Sequence, residues 1–271
     1  MRPRGSVLFW QLLLLVVLLA SWEWLTGIKA ISKTPGLYWI DPFFISRPSL
    51  IARRFAYLLS DRVRLSLWQM TLSTVQSTLW GFVVGVSTGF VAGLVLGRND
   101  RLARIFEPYI VAFNSLPRIA LVPLITMIFG FGLVAKIVLA WTIVFFIVFF
   151  NTFQGARSVD ADLIHSARFL GASEHQVMRT VIIPSALAWT FASLTPSISF
   201  ALIGVVVGEF LGGESGGGLG YLMFQSLGTL NAADMMVALV TLGVIGIVMA
   251  LGIKQIEIRL LRWRPEYRKR P

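Results

Sequence analysis

The hydrophobic residues of this chain gather into six long apolar stretches separated by more polar segments of very different lengths. A helix needs about 20 apolar residues to cross the hydrocarbon core of a bilayer, and each stretch is close to that length. The six stretches cover residues 7–26, 72–96, 105–129, 133–153, 185–207 and 235–253. They predict an all-α membrane protein with about six transmembrane helices.

The composition agrees with this pattern. The mean hydropathy is +0.77 and only 14% of the residues are charged, against roughly a quarter in a soluble domain. The first stretch has a basic start like a signal peptide, but its apolar run continues to Trp24 without a small-x-small cleavage site. We therefore expect a retained first helix.

The connection between the first two stretches predicts a surface helix. Prolines break its early part, and its later part places apolar residues on one side, as in an amphipathic helix lying on the outer membrane surface. The apolar residues are Leu50, Ile51, Phe55, Leu58 and Leu59. We divide the chain into an N-terminal helix with its connection (1–65), a core (66–253) and a basic tail (254–271).

The third stretch contains Pro108, Pro117 and Pro123. Each proline lacks the amide hydrogen that a regular helix needs, so a broken or kinked helix is expected. Irregular backbone at membrane depth is tolerated where protein or a water-filled cavity surrounds it. The stretch could therefore line the interior, or it could carry a kink that has no role in function.

The net charge of +11 is interpreted as a signal for the orientation of the chain in the membrane and not for nucleic-acid binding, because most Lys and Arg residues flank the apolar stretches. Fifteen of the 24 basic residues fall at the N-terminus, in the second-to-third and fourth-to-fifth connections, and in the tail. Six spans then place both termini in the cytoplasm. The chain has no Cys, and its histidines, His165 and His175, lack a partner cluster, so we expect no metal site.

The polar segment 158–187 between the fourth and fifth stretches has the pattern of two short helices. Ser158 or Asp160 can cap the first helix, whose apolar positions are Leu163, Ile164, Ala167 and Leu170, and Gly171 can end it in the left-handed conformation. Ser173 and Gln176 form a capping box for the second helix, and Pro184 marks the return to the membrane. The segment predicts a helical hairpin on the cytoplasmic face.

The spacing within this hairpin resembles the coupling motif of binding-protein-dependent ABC importer permeases. That motif runs Glu-Ala-Ala, three residues, Gly, nine residues, Ile, one residue, Leu-Pro. The resemblance implies a coupling helix that docks into a groove of a separate ATPase, with His165 and Ser166 departing from the family's Glu and Ala. The coupling residues it implies are Leu163, His165, Ser166, Ala167, Gly171, Val181, Ile183 and Pro184.

The resemblance extends from residue 66 to residue 267. The runs LPRIALVPLITMIFGFGLVAKI, ALIGVVVGEF, GLGYL and LLRWRPEY are similar to permeases for aliphatic sulfonates, taurine, nitrate or bicarbonate, and pyrimidine precursors. It implies a type I importer architecture, a homodimer, two ATPase subunits, an extracytoplasmic solute-binding protein and an inner-membrane location. ATP and Mg would be bound by the ATPase, which agrees with the lack of a G-x-x-x-x-G-K-S/T loop here.

Several residues are candidates for the solute pathway. Arg118 lies inside the third stretch, where a guanidinium is costly unless it faces a cavity or a partner, or unless it sits at an interface. The fifth stretch offers hydroxyls, which could instead bond to their own helix. Glu209 matches an acid of the resembled family. It could hold a gate through a hydrogen bond, or it could be a solvated acid at the end of the helix. The hydroxyl candidates are Ser193, Thr195, Ser197 and Ser199.

These features favour an importer subunit that carries a small anion. A pyrimidine or vitamin precursor remains an alternative solute, and a passive channel an alternative function, although a channel would need no coupling helix. An enzyme is not expected, because no acid, base and nucleophile converge. The run GGESGGGLG at 212–220 is interpreted as a tight turn between the last two spans, either a plain turn or a contact for the binding protein.

Overall fold

A computed structural model describes residues 4–28, 36–60, 66–212 and 217–261. The regular secondary structure in these ranges is entirely helical. The α-helices are α1 (Arg4–Leu25), α2 (Pro42–Ile45), α3 (Pro48–Leu59), α4 (Leu67–Arg98), α5 (Asp100–Ser115), α6 (Val122–Phe129), α7 (Leu133–Arg157), α8 (Ala161–Phe169), α9 (Glu174–Val177), α10 (Ile183–Gly212), α11 (Leu219–Gly228) and α12 (Ala232–Leu260). Short 3-10 turns occupy Tyr38–Ile40 and Arg118–Leu121, and a π-helical turn occupies Met178–Ile182.

The predicted all-α membrane fold is confirmed. Among the described residues, five helices are long and apolar enough to cross a membrane, and a sixth span results if α5 and the segment Arg118–Phe129 are counted together. These two pieces meet at 88°. The break falls at Pro117, whereas Pro108 lies inside α5 and Pro123 lies in the first turn of α6, where a missing amide hydrogen costs little.

Helices α4, α7 and α10 form the central layer of the bundle. Helix α4 carries glycines at every fourth position, and each faces α7. A Cβ atom on Gly85 would lie 2.6 Å from Cβ of Val144, and one on Gly93 would lie 2.7 Å from the carbonyl oxygen of Phe149. The backbones therefore approach as closely as small residues allow. The glycines of this stripe are Gly81, Gly85, Gly89, Gly93 and Gly97.

Helices α11 and α12 pack on this layer from a second side. Leu219 of α11 and Val237 of α12 are fully buried, and they share a hydrophobic core with Leu202 of α10 and Met70 of α4. Helix α11 corrects the sequence interpretation, because the last two spans are joined by a ten-residue helix as well as a turn. The four residues 213–216 of the predicted turn lie outside the described residues.

The predicted amphipathic helix is α3. Its buried side, which includes Ile51 and Leu58, packs on α12, while Leu50 and Leu59 are exposed, so the buried face is narrower than the sequence suggested. Arg54 of α3 forms a two-point ion pair with Asp234 of α12, with one distance of 2.9 Å from Nη2 to Oδ2. This hydrogen bonding raises the pKa of the Arg54 guanidinium and fixes α3 to the bundle.

The two ends of the chain differ in their attachment. Helix α1 packs against α3, where the Glu23 carboxylate accepts hydrogen bonds from the amide and hydroxyl of Ser49 at 2.9 and 2.8 Å. At the other end, α12 continues to Leu260, beyond the predicted core boundary at residue 253. Residues 262–271 of the predicted basic tail lie outside the described residues.

Candidate functional site

The hairpin between α7 and α10 consists of α8, a glycine turn and α9. Of the two possible caps, Asp160 caps α8, accepting a hydrogen bond from the amide of Asp162 at 2.9 Å. The predicted capping box is present at α9, where the Ser173 amide donates to Gln176 Oε1 at 2.8 Å. Gly171 links the helices with a φ of +87°, in the left-handed region that favours glycine.

Pro184, predicted to mark the return to the membrane, lies in the first turn of α10. Helix α9, the π-helical turn Met178–Ile182 and α10 follow one another without an intervening loop. Pro184 has no amide hydrogen to donate to the preceding turn, and the wider π-helical spacing lies directly before it. The hairpin therefore returns to the bundle along a continuous helical path.

The inner side of the hairpin is packed against the bundle. Ala156 at the end of α7 and Leu94 of α4 share a hydrophobic core with Ile164 of α8, Val177 of α9 and Ile182 of the π-helical turn. The hairpin thus rests on the ends of the three central helices. Any displacement of those helices must move the hairpin with them.

Ion pairs surround this attachment, and one of them joins the hairpin to α4. The Glu174 carboxylate of α9 accepts from Arg168 Nε at 2.7 Å and lies 4.0 Å from Arg98 Nη2 at the end of α4. Arg157 of α7 pairs with Asp100 at the start of α5 at 2.9 Å. The side chains are partly or largely exposed to solvent, so these pairs contribute little to stability and act mainly by orienting the helices.

The outer side of the hairpin is an exposed apolar tip. Phe169 is 94% exposed and Leu170 is 85% exposed, and Leu163 is 59% exposed. His165 and Ser166 join Phe169 and Leu170 around an open hollow of about 500 Å³. Large apolar side chains at such exposure are typical of a surface that another molecule covers.

The predicted coupling residues therefore divide into two groups. Leu163, His165 and Ser166 face outward from α8, whereas Ala167 packs toward the bundle. The remaining members are Gly171 in the turn and the half-buried Val181, Ile183 and Pro184 at the return. Phe169 was missed by the motif comparison, although an aromatic residue beside the turn of a polar hairpin was visible in the sequence.

Arg118 occupies the break between α5 and α6. Its guanidinium donates to the carbonyl oxygens of Phe113 and Leu116 at 2.9 and 2.6 Å and to Oδ1 of Asn114 at 2.9 Å. It also stands 4.6 Å from the ring centroid of Phe146. These contacts satisfy carbonyls that the end of α5 leaves without partners. Contact with a solute stays a prediction for this residue.

The hydroxyl candidates of α10 do not share one surface. Ser193 is buried and donates to the carbonyl of Thr190 at 2.7 Å, and Ser197 is also buried. Ser199 is exposed on another side of the helix, and Thr195 lies 3.5 Å from the Glu257 carboxylate of α12. The structure therefore does not bring these four residues together.

Glu209 lies at the far end of α10 from the hairpin and is completely buried. Its carboxylate accepts hydrogen bonds from Thr74 Oγ1 at 2.9 Å, from the amide of Gly220 at 3.0 Å and from Lys136 Nζ at 3.1 Å. The acid is thus neither a solvated helix end nor an isolated charge. It connects α4, α7, α10 and the start of α11.

Lys136 completes this arrangement, which we call the polar cluster (Ser73, Thr74, Lys136 and Glu209). Its ammonium group also donates to Ser73 Oγ at 2.8 Å and to the carbonyl of Gly217 at 3.2 Å. Lys136 was not among the candidate residues selected from the sequence. The available signal was that a lysine within an apolar stretch requires an acidic or polar partner.

The polar cluster holds a tight turn, residues 217–220, which we call the 217–220 turn. Thr74 Oγ1 accepts a hydrogen bond from the amide of Leu219 at 3.0 Å. A Cβ atom on Gly220 would lie only 2.7 Å from Cβ of Glu209. Gly218 adopts a φ of +116°. The glycines therefore let the turn wrap closely around the carboxylate.

A groove of about 620 Å³ separates α5 from α7 on the hairpin half of the bundle. Its α7 wall is aromatic and includes Phe149, Phe150 and Phe153, and its polar groups include Arg104 and Gln154. The groove combines stacking surfaces with hydrogen-bonding groups, as pockets for small ligands do.

Comparisons with known proteins agree on one class. Residues 85–257 match the family described as binding-protein-dependent transport system inner membrane component. The chain is 29% identical to an aliphatic sulfonates transport permease protein of Bacillus subtilis (strain 168), over 94% of this chain and 88% of that protein. It is 33% identical to a riboflavin transport system permease protein of Chloroflexus aurantiacus, over 82% of this chain and 81% of that protein.

A solved structure shows the same fold. The fold matches a chain of the methionine ABC transporter MetNI in an inward facing conformation, with a TM-score of 0.61 and 24% identity. The match covers 70% of this chain and 94% of that chain.

Proposed function

Because the chain belongs to the family of binding-protein-dependent transport system inner membrane components and is therefore the permease subunit of an ABC importer, we propose that it passes a small anion inward through the membrane. Separate ATPase subunits supply the energy, and a solute-binding protein delivers the anion. A second copy of the chain forms the other half of the pathway. Both termini and the hairpin lie in the cytoplasm, as expected for an even number of spans.

The observation that carries this proposal is the exposed apolar tip of the hairpin. Phe169 and Leu170 project from a segment whose inner side is packed against α4, α7 and α10. Such a tip can be pushed by a partner without folding away from the bundle. Docking of the ATPase at the tip would therefore convert its closure into movement of the central helices.

The choice of an anion rests on charge and similarity. The chain carries a net charge of +11, and the relative with the broadest overlap described above is named for aliphatic sulfonates. Arg118 supports this choice only indirectly, since its donors already bond to the end of α5. The remaining support from charge is the basic composition of the chain as a whole.

A second solute class is an aromatic heterocycle. The groove beside Phe149, Phe150 and Phe153 provides stacking surfaces for a planar ring. The riboflavin permease relative is consistent with such a solute.

Reconstituted with its ATPase and binding protein, the complex is expected to accumulate a sulfonate or carboxylate in an ATP-dependent manner. Accumulation of a neutral ring compound in place of the anion would favour the second class.

The ATPase contact is tested by Phe169→Ser. Removing a central aromatic anchor is expected to weaken ATPase binding about tenfold, because such residues carry most of an interface's binding energy. The measurement is titration of the ATPase against the purified permease. Leu260→Ser is the matched control, since Leu260 is also a large exposed apolar residue and lies outside the hairpin. Equal affinities for the two variants would contradict docking at the tip.

A further inference from the structure

The polar cluster lies at the end of the bundle opposite the hairpin, and it contains a buried ion pair. Lys136 and Glu209 form an ion pair with almost no exposure, 4% and 0% for the two side chains. A buried ion pair is weak evidence for stability, because the cost of removing both charges from water offsets their attraction. Ionisable groups within membrane helices instead tend to serve function.

The hydrogen bonds of the polar cluster converge on the 217–220 turn. Lys136 binds the carbonyl of Gly217, Thr74 binds the amide of Leu219, and Glu209 binds the amide of Gly220. Each of these contacts starts from a different long helix. The turn is therefore held by α4, α7 and α10 at once, and its position reports the relative placement of all three.

We propose that Thr74, Lys136 and Glu209 are positioning residues that hold the 217–220 turn in the conformation that engages the solute-binding protein. This inference rests on the proposed function, whose orientation places the turn on the outer side of the membrane, where the solute-binding protein delivers its solute. Gly217, at the start of the turn, is partly exposed, whereas the rest of the turn and the carboxylate and ammonium groups of the polar cluster are buried. The charged groups therefore act through the turn and do not touch the partner.

Thr74→Val tests this role with the least disturbance. The substitution keeps the shape of the side chain and leaves both members of the Lys136–Glu209 pair in place. It removes the hydroxyl that accepts from the amide of Leu219 and donates to the Glu209 carboxylate. Thr190→Val is the matched control, because Thr190 forms a buried 2.7 Å hydrogen bond with Thr152 between α7 and α10, away from the turn. Thr74→Ser retains the hydroxyl and should behave as the unmodified chain.

The first measurement is the rate at which a cysteine at Gly217 reacts with a maleimide in the purified permease alone. The chain has no other cysteine. Thr74→Val is expected to raise this rate about five- to tenfold, because the hydrogen bonds of the Thr74 hydroxyl to Leu219 and Glu209 are lost. Thr190→Val and Thr74→Ser should leave it unchanged. Equal rates in Thr74→Val and Thr190→Val would overturn the proposal.

The second measurement uses the complete transporter. Thr74→Val is expected to raise, about fivefold or more, the concentration of solute-loaded binding protein at which stimulation of ATP hydrolysis is half-maximal. An unchanged half-saturating concentration would overturn the positioning role. Failure of the binding protein to stimulate even the unmodified complex would instead contradict the proposed function, so the two failures are distinguishable.

The double variant Lys136→Met/Glu209→Leu separates positioning from stability. Apolar residues of similar size often replace a buried ion pair at little cost in stability. If the pair served stability alone, the labelling rate and the half-saturating concentration of the double variant would equal those of the unmodified chain. The proposal expects a folded protein in which both quantities stay at least about fivefold raised, because two of the three contacts to the turn are missing.

Discussion

At the scale of single residues, a backbone angle decides how the hairpin turns. Gly171 has a φ of +87°, and a Cβ atom placed there would meet nothing within 4 Å. The requirement for glycine is therefore conformational and not steric. A β-branched residue in this region costs about 1–3 kcal/mol, whereas asparagine tolerates it better.

Gly171→Val is accordingly expected to uncouple transport from ATP hydrolysis. Strain at the turn would reorient Phe169 and Leu170 while the packed inner side of the hairpin stays in place. The measurement is the number of solute molecules accumulated per ATP hydrolysed in proteoliposomes, which should fall several-fold. Gly171→Asn should be milder, and Gly252→Val on an open part of α12 serves as the control. Normal coupling in Gly171→Val would contradict the predicted role of the hairpin.

The residues of the polar cluster show where sequence reasoning ends. Glu209 could be selected from the sequence, because an acid in an apolar stretch needs a partner. Its partners could not, since Thr74 and Lys136 lie 135 and 73 positions away along the chain. Hairpin contacts were easier to predict because caps and glycine turns depend on neighbouring residues.

At the scale of helices, the pairing of α4 with α7 depends on the glycine stripe. The spacing of four residues was visible in the sequence and is typical of close helix packing in membranes. The identity of the opposing helix was not, because glycine offers no side chain whose chemistry selects a partner. Helix α11 could not be predicted for another reason: it is too short, and too close to a glycine run, to be recognised from hydropathy.

Gly93→Ala tests the closeness of this helix pair. The added methyl group would lie 2.7 Å from the carbonyl oxygen of Phe149 and 2.8 Å from Cβ of Thr152, so the two backbones must separate. We expect a loss of about 1–3 kcal/mol in unfolding free energy, as for other overpacked cores. Thermal unfolding in detergent measures it. Gly252→Ala, where nothing lies within 4 Å, should be neutral or slightly stabilising, and an equal effect of both substitutions would contradict close packing.

At the scale of the whole molecule, the hairpin and the 217–220 turn are joined by the same three helices. Helix α10 runs from the hairpin to the turn. Helix α4 contacts the hairpin through Arg98 and the turn through Thr74. Helix α7 contacts the hairpin through Ala156 and the turn through Lys136. A shift of the central layer therefore changes both ends together. This arrangement suits a protein that must connect ATP hydrolysis on one side of the membrane with solute delivery on the other.

That reasoning requires the two sites to face opposite sides of the membrane, with the hairpin inside the cell. Basic residues favour this orientation, since 15 of 24 lie on the hairpin side of the predicted topology. The absence of native cysteines allows a direct measurement in intact cells with a membrane-impermeant maleimide. A cysteine at Gly228, which is exposed at the end of α11, should be labelled from outside, whereas one at His175 of α9 should react only after the membrane is made permeable. The reverse pattern would place the hairpin outside the cell, where no ATPase could reach Phe169 and Leu170, and the transport proposal would fail with it.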